Sequence, residues 1–173
     1  MTPASATDPL ILTLTLDAAA HQRFTILRRQ YFPPERNYLE AHVTLFHHLP
    51  GTEQVTVAHH LRELAATTAP LTLNVSGVQF LGRGVAYKLL SEPLQQLHRQ
   101  LQTRWEPWLT PQDRQPLRPH ITIQNKVDPA RARALYTELE AGFSPDSIQG
   151  IGFTLWAYRG GPWQQLEQVP FAG

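Results

Sequence analysis

From Leu10 to Leu16 the chain alternates strictly, with Leu10, Leu12, Leu14 and Leu16 separated by Ile11, Thr13 and Thr15. A period of two puts the leucines on one face of a β-strand and the threonines on the other. The period then changes. Asp17 is a capping residue, and Ala20, Phe24, Leu27 and Tyr31 follow at helical spacing until Pro33-Pro34 ends the segment. A second strand is predicted over about 41–49. After Pro50-Gly51, a helix over about 53–67 gathers Val57, Leu61, Leu64 and Ala65 on one side. Alternation returns over 71–80, where Leu71, Leu73 and Val75 oppose Thr72, Asn74 and Ser76. Gly82-Arg83-Gly84 turns the chain into a strand over about 85–90.

The same order then recurs. Ser91 caps a helix bearing Leu94, Leu97, Leu101 and Trp108, and a Pro-rich connector from Thr110 to Pro119 leads into a strand over about 120–125. Asp128-Pro129 sets a cap before a proline at the first helical position, Leu135 and Leu139 face inward, and Gly142 follows the helix end. Strands over about 148–158 and 163–171 are joined through Gly160-Gly161. The elements read β-α-β-α-β, then β-α-β-α-β-β, so one unit is used twice. The predicted fold class is α+β. A single bilobal domain over 10–173 is built from two pseudo-symmetric β-α-β-α-β lobes, repeating at about 10–81 and 82–171. Antiparallel-rich sheets face a central cleft, with the helices outside.

Laying the two units on each other brings His42-Val43-Thr44-Leu45 over His120-Ile121-Thr122-Ile123. On a strand, His42 and Thr44 share one face while Val43 and Leu45 point to the core; His120 and Thr122 behave alike. H-x-T with apolar second and fourth residues is expected by chance roughly 0.1 times in such a chain. Two copies on equivalent strands therefore mark a site, with Thr13, Thr15, Thr72, Asn74, Ser76 and Thr154 as candidates to line the same cleft. Two imidazoles titrating near pH 6.5 can divide the work of phosphodiester cleavage, one taking a proton and the other giving one. The threonine hydroxyls are suited to hold non-bridging phosphate oxygens. We assign His42 as the acid and His120 as the base, an order that pseudo-symmetry allows to be exchanged.

Composition narrows the field. The 173 residues are 42% hydrophobic and 17% charged, with 15 Lys+Arg against 14 Asp+Glu, a formal charge of +1. That suits a globular chain and argues against coating long nucleic acids or anionic membranes. With no cysteine there is no disulfide framework, thiol nucleophile, zinc–thiolate site or iron–sulfur cluster. Residues 1–9 read as a flexible tail with no signal peptide, and no apolar run approaches the roughly 18 residues of a membrane span. A cytoplasmic monomer without metal or cofactor is expected.

The paired H-x-T-apolar motifs in a duplicated α+β chain of this length resemble the two-histidine phosphoesterase superfamily. More narrowly they resemble its 2′-5′ RNA ligase-like, or RNA 2′,3′-cyclic phosphodiesterase, branch. The stretches His42-Val43-Thr44-Leu45-Phe46, Arg118 to Lys126 and Tyr158-Arg159-Gly160-Gly161-Pro162-Trp163 carry the likeness, which spans Leu10 to Phe171. The resemblance implies catalytic His42 and His120 and phosphate-binding Thr44 and Thr122. It also implies metal-free opening of a 2′,3′-cyclic phosphate on an RNA terminus or nucleotide, with reversible 2′-5′ ligation as a related activity. A non-catalytic RNA- or nucleotide-binding module with the same cleft is the alternative, and a histidine-ligated metal hydrolase a third.

Other residues are secondary candidates. Arg118 is positioned to share the face of His120 and reach a phosphate, unless Pro119 breaks the strand. Tyr158, in step with Trp156 and Thr154, is a candidate to stack a base or sugar at the cleft rim, though rim packing fits the same pattern. Lys88 and Lys126 read as solvated charges. The pairs His47-His48 and His59-His60 have no carboxylate at ligand spacing. His21 and His98 read as helix-surface residues, and Trp105 and Trp108 as core.

Overall fold

A computed structural model describes residues 8–173. Most of the predicted tail, residues 1–7, lies outside the described residues. Pro9 is held in place, its carbonyl accepting a hydrogen bond from the Tyr158 amide (2.9 Å). The elements follow the predicted order. They are β1 (Leu10–Leu16), α1 (Ala18–Tyr31), β2 (Val43–Leu49), α2 (Gln54–Ala66), β3 (Leu71–Phe80), β4 (Val85–Leu90), α3 (Glu92–Arg104), β5 (His120–Gln124), α4 (Pro129–Ala141), β6 (Asp146–Ala157) and β7 (Gln164–Pro170). The predicted caps form: Asp17, Ser91 and Asp128 accept the amides of Ala20, Leu94 and Arg131, each satisfying a donor in a first helical turn. Trp108 falls beyond α3, in a 3-10 turn, because Pro107 follows the helix end.

All strand pairs are antiparallel, and the two expected sheets are continuous. The order is β2-β1-β6-β3-β4-β5, with β7 also against β6. Exchanging the two sequence units (β1 with β4, β2 with β5, β3 with β6) reproduces this order read backwards. Each half of the sheet therefore takes its third strand from the other unit, and the pseudo-axis passes between β3 and β6. Their pairing, Leu71↔Gly150 to Val75↔Asp146, joins the halves. The two H-x-T strands are the terminal strands of this order, yet β2 and β5 come into contact, so the sheet curls until its ends meet.

The core is one cluster on the helix side of the sheet. It contains the leucines of β1, Val43 and Leu45 of β2, Ile121 and Ile123 of β5, and the helix residues Phe24, Leu61, Leu94 and Leu101. Helix packing is crossed as well. Helix α1 lies against β5, while α3 sits under β2 through Phe46, whose ring stacks on His98 (4.6 Å) and meets Trp105 edge-on (5.2 Å). His98 is thus a core residue, 3% exposed, contrary to its surface assignment. It stands four residues after Leu94 and three before Leu101, on the buried stripe of α3.

Gly84 closes one corner of the sheet. A β-carbon there would stand 1.9 Å from the Gln124 carbonyl oxygen, a backbone atom that cannot step aside. Gly84→Ala is expected to destabilise the fold by about 2 kcal/mol or more, read as a lower urea midpoint at unchanged slope.

Candidate active site

The polar face of the first half-sheet is assembled by register. Thr44 of β2 stands opposite Thr13 of β1, Thr13 opposite Thr154 of β6, and Thr154 opposite Gln168 of β7. Two residues further along β6, Trp156 stands opposite Gln165. Thr15 and Thr154 share a hydroxyl hydrogen bond (2.7 Å), and the Trp156 indole donates to Thr13 Oγ1 (2.9 Å). This face floors a cavity of about 460 Å³ whose walls include His42, Glu40, Tyr38 and Trp163. A second cavity of about 460 Å³ contains Thr44, His47, Asp113, Arg118 and His120. Because His42 and Thr44 are two residues apart on one face, the two cavities adjoin at the start of β2.

The histidines are held alike. His42 Nδ1 lies 2.8 Å from the Glu40 carbonyl, and His120 Nδ1 lies 2.8 Å from the Arg118 carbonyl. A carbonyl only accepts, so each ring carries its neutral-form proton on Nδ1 and leaves Nε2 as the reactive atom. Both partners are the backbone two residues upstream, which makes this bond part of the repeated motif.

Their surroundings differ. Trp163 meets the His42 ring edge-on at 5.1 Å, and Trp156 stands 6.0 Å beyond it. Burial pushes the His42 pKa down to about 4; the Glu40 carbonyl opposes the shift, and the charges of Arg28, His120 and His47 reinforce it. At neutral pH His42 is therefore an uncharged imidazole, and a proton on His120 further disfavours one on His42. Lys88 adds charge nearby: it stands directly across from His120 in the β4–β5 register and is exposed.

Arg28 couples the two motifs. It is 4% exposed and has no carboxylate partner among the described residues. Its Nη1 donates to the Thr122 carbonyl (2.8 Å), Nε to the Leu39 carbonyl (3.1 Å), and Nη2 to Asn37 Oδ1 (3.1 Å). The guanidinium also lies over the Phe32 ring (4.4 Å). Burial lowers its pKa to about 10, which leaves it charged at neutral pH. One side chain thus fixes the loop that orients His42 and the strand that carries His120. On the other side, His98 Nε2 donates to the Leu45 carbonyl (3.0 Å), and its Nδ1 has no hydrogen-bond partner. Asp113, also buried, accepts from the amides of His47 (2.9 Å) and His48 (2.9 Å) and from His47 Nδ1 (3.1 Å). It seals the outer edge of β2 and anchors the connector that presents Arg118.

Of the sequence candidates, His42 immediately precedes β2, and Thr44, His120 and Thr122 are half-buried on the two strands. Arg118 is exposed and shares the cavity of His120. Tyr158, just past β6, lines neither histidine cavity but a smaller adjoining one. Thr72, Asn74 and Ser76 are exposed and line neither histidine cavity. The histidine pairs do have carboxylates: His47 meets Asp113, and His59 meets Glu63 one helical turn on (3.1 Å). Among the described residues no three His, Cys, Asp or Glu side chains converge as a metal site requires. No helix among them is long and apolar enough to cross a membrane. Sequence reading gave no role to Trp163, which entered only within the stretch that carries the family likeness, and none to Arg28; Arg28 had a signal, since it lies four residues after Phe24 on the buried stripe of α1.

The family model of the 2′-5′ RNA ligase superfamily matches residues 16–162. The chain belongs to that superfamily. Solved structures share its fold, among them TT0787 of Thermus thermophilus (18% identity, TM-score 0.68, 95% of this chain and 98% of that one). E. coli LigT is similar in its apo form (20%, TM-score 0.64, 96% and 98%) and complexed with 3′-AMP (20%, TM-score 0.63, 96% and 99%). No curated protein gives a significant match. The matched family and the shared fold point the same way, to a chain of phosphoesterase or ligase type.

The depressed basicity of His42 has a sign that can be checked. The unfolded chain holds the His42 proton up to about the usual 6.5, the folded protein only to about 4. Its contribution to stability is complete above pH 6.5 and is lost as pH falls from there through 4. A ¹⁵N NMR titration should place the His42 midpoint near 4 with the neutral-form proton on Nδ1. Trp163→Ala, which opens the ring to water, should raise that midpoint towards the usual value.

Proposed function

We propose that this protein is a metal-independent phosphodiesterase that opens a 2′,3′-cyclic phosphate at an RNA end or on a nucleotide. The observation that carries this reading is the matched pair of imidazoles, each with Nδ1 bound to the carbonyl two residues upstream and Nε2 free. Family membership and the likeness to a LigT structure with 3′-AMP support a nucleotide-type ligand.

In this reading the phosphorus lies between the two Nε2 atoms. The Thr44 and Thr122 hydroxyls, with Arg118, bind its non-bridging oxygens. The lowered basicity of His42 supports the exchanged order of the two roles: an imidazole neutral at pH 7 acts as the base, with His120 as the acid. His42 Nε2 takes a proton from water as the water oxygen bonds to phosphorus. His120 gives its Nε2 proton to the departing ribose oxygen as that P–O bond breaks, and the product is a phosphomonoester. Repulsion between two protonated rings favours this one-proton state. With a 5′-hydroxyl in place of water, the same groups would form a 2′-5′ linkage, and reversal exchanges their roles. The terminal nucleoside occupies the His42 cavity, where Trp163 and Trp156 offer ring edges and faces and Gln165 and Gln168 offer amides.

The test is hydrolysis of a 2′,3′-cyclic nucleotide by His42→Ala and His120→Ala in the presence of EDTA. Each substitution is expected to lower kcat by about 10² to 10⁴, with the double variant little worse than either single one. The wild-type rate should be indifferent to the chelator. Activity that survives either substitution, or is lost to EDTA, overturns the mechanism. Nucleotide binding without turnover, insensitive to both histidines, would make the cleft a non-catalytic binding module.

A further inference from the structure

Beside the His42 cavity lies a third one, of about 310 Å³, that the mechanism above does not use. It shares Tyr38, Leu39 and Trp163 with the His42 cavity, so the two are continuous around the Trp163 ring. Its composition is distinctive. Arg28, Arg36 and Lys126 contribute cations, Tyr38, Tyr158 and Trp163 contribute rings, and no carboxylate lines it. No Asp or Glu pairs with Arg36 or Lys126 among the described residues. Both tyrosines are open to solvent, Tyr38 58% and Tyr158 42% exposed, which is unusual for rings with a core available nearby.

The backbone supports a task for this wall. Lys126 is the one described non-glycine residue with positive φ (62°), a conformation in which glycine or asparagine would be easier. Lys126 lines the cavity from there, four residues after Thr122. On the opposite wall Gly160, at φ +86°, makes the turn that brings Tyr158 and Trp163 to the same space. Unpaired cations interleaved with exposed rings are the chemistry of a single-stranded nucleic-acid subsite: the cations meet a phosphate and the rings stack a base.

We propose that the cavity of Arg36, Tyr38, Lys126, Tyr158 and Trp163 binds the phosphodiester and base of the nucleotide next to a reacting RNA end. This rests on the reading that the His42 cavity holds the terminal nucleoside. From that nucleoside an RNA chain continues only through its 5′-oxygen, and the adjoining cavity is where a chain leaving the His42 cavity arrives. The His120 cavity fits this part of the ligand less well, because the Asp113 carboxylate lies in its wall. The phosphodiester would lie between Arg36 and Lys126, with the base against Tyr38 or Tyr158. The enzyme would then act on an RNA end in preference to a free cyclic nucleotide.

Two measurements test this separately from the activity itself. The first compares kcat/KM for a short oligoribonucleotide ending in a 2′,3′-cyclic phosphate with that for the 2′,3′-cyclic mononucleotide. Wild type should favour the oligonucleotide by about tenfold, chiefly through KM. Arg36→Gln/Lys126→Gly, and independently Tyr158→Ala, should bring that ratio towards one. The glycine relieves the positive φ, so the variant does not depend on tolerating strain. The second measurement is calorimetric binding of a 3′-phosphorylated oligonucleotide against the 3′-mononucleotide, which needs no turnover. The double variant should lose the oligonucleotide's advantage and part of its salt dependence, about 0.7 in slope for each single-strand phosphate that is no longer neutralised. Absence of an oligonucleotide advantage in wild type, or an advantage unchanged in both variants, overturns the subsite. Lost binding preference in a protein that hydrolyses neither substrate would retain the subsite and overturn the proposed activity.

Discussion

The arrangement depends on a buried cation, Arg28, that pairs with no carboxylate among the described residues. Arg28 spends its donors on two main-chain carbonyls and an asparagine amide, and those carbonyls belong to the two halves of the site. Burying a guanidinium without a carboxylate is costly, and the cost is bearable only where its donors find fixed acceptors. The fork shape supplies the geometry. Its branches diverge far enough to reach the loop before β2 and the strand β5 at once, which an ammonium could not do with the same fixity. The charge also acts at a distance, since its field is one of the effects that keep His42 unprotonated. Structure and chemistry are thus joined in one residue.

Pseudo-symmetry explains why that brace is needed. The two motif strands end a continuous sheet, and among the described residues neither pairs with another strand on its outer side. Left alone, such edges splay or recruit other chains. Here α1 secures β5 through Arg28, α3 secures β2 through His98, and Asp113 caps the outer edge of β2. The crossed helices match the crossed third strands: each motif is supported by elements of the other sequence unit. The symmetry ends at the rings themselves. Trp163, reached only because β7 adds to β6, lies against the His42 ring, where burial lowers the basicity of that imidazole.

What could be read from the sequence follows from range. Period-two and helical patterns are local, so the element order, the caps at Asp17, Ser91 and Asp128, and the pairing of His42 with His120 were all legible. So was the lining by Thr13, Thr15 and Thr154, because strand parity alone decides it. Strand exchange was not legible: whether β1 neighbours β3 or β6 depends on contacts more than a hundred residues apart, as in Thr13↔Thr154. His98 and Arg28 were misjudged or missed because type outweighed position. Both lie on the apolar stripe of their helix, where polarity marks a buried tie and not a solvent face. Thr72, Asn74 and Ser76 failed for the opposite reason: correct parity, but on a strand too far from the meeting ends of the sheet.

A net charge of +1 conceals an uneven distribution. Many carboxylates are engaged away from the cleft, Glu63 with Arg104, Glu167 with Arg62, Glu92 with Arg99 and Asp146 with Arg23. Around the joined cavities stand Arg28, Arg36, Arg118, Lys88 and Lys126, and the acids nearest them are occupied, Glu40 by His21 and Asp113 by β2. At physiological salt a field decays over about 8 Å, so this local excess acts on a phosphate already in the cleft and little beyond it. A surface that is neutral at long range and positive at contact gains little from the continuous charge of a duplex. It gains most from one or two phosphates placed within reach, the charge pattern of a chain terminus.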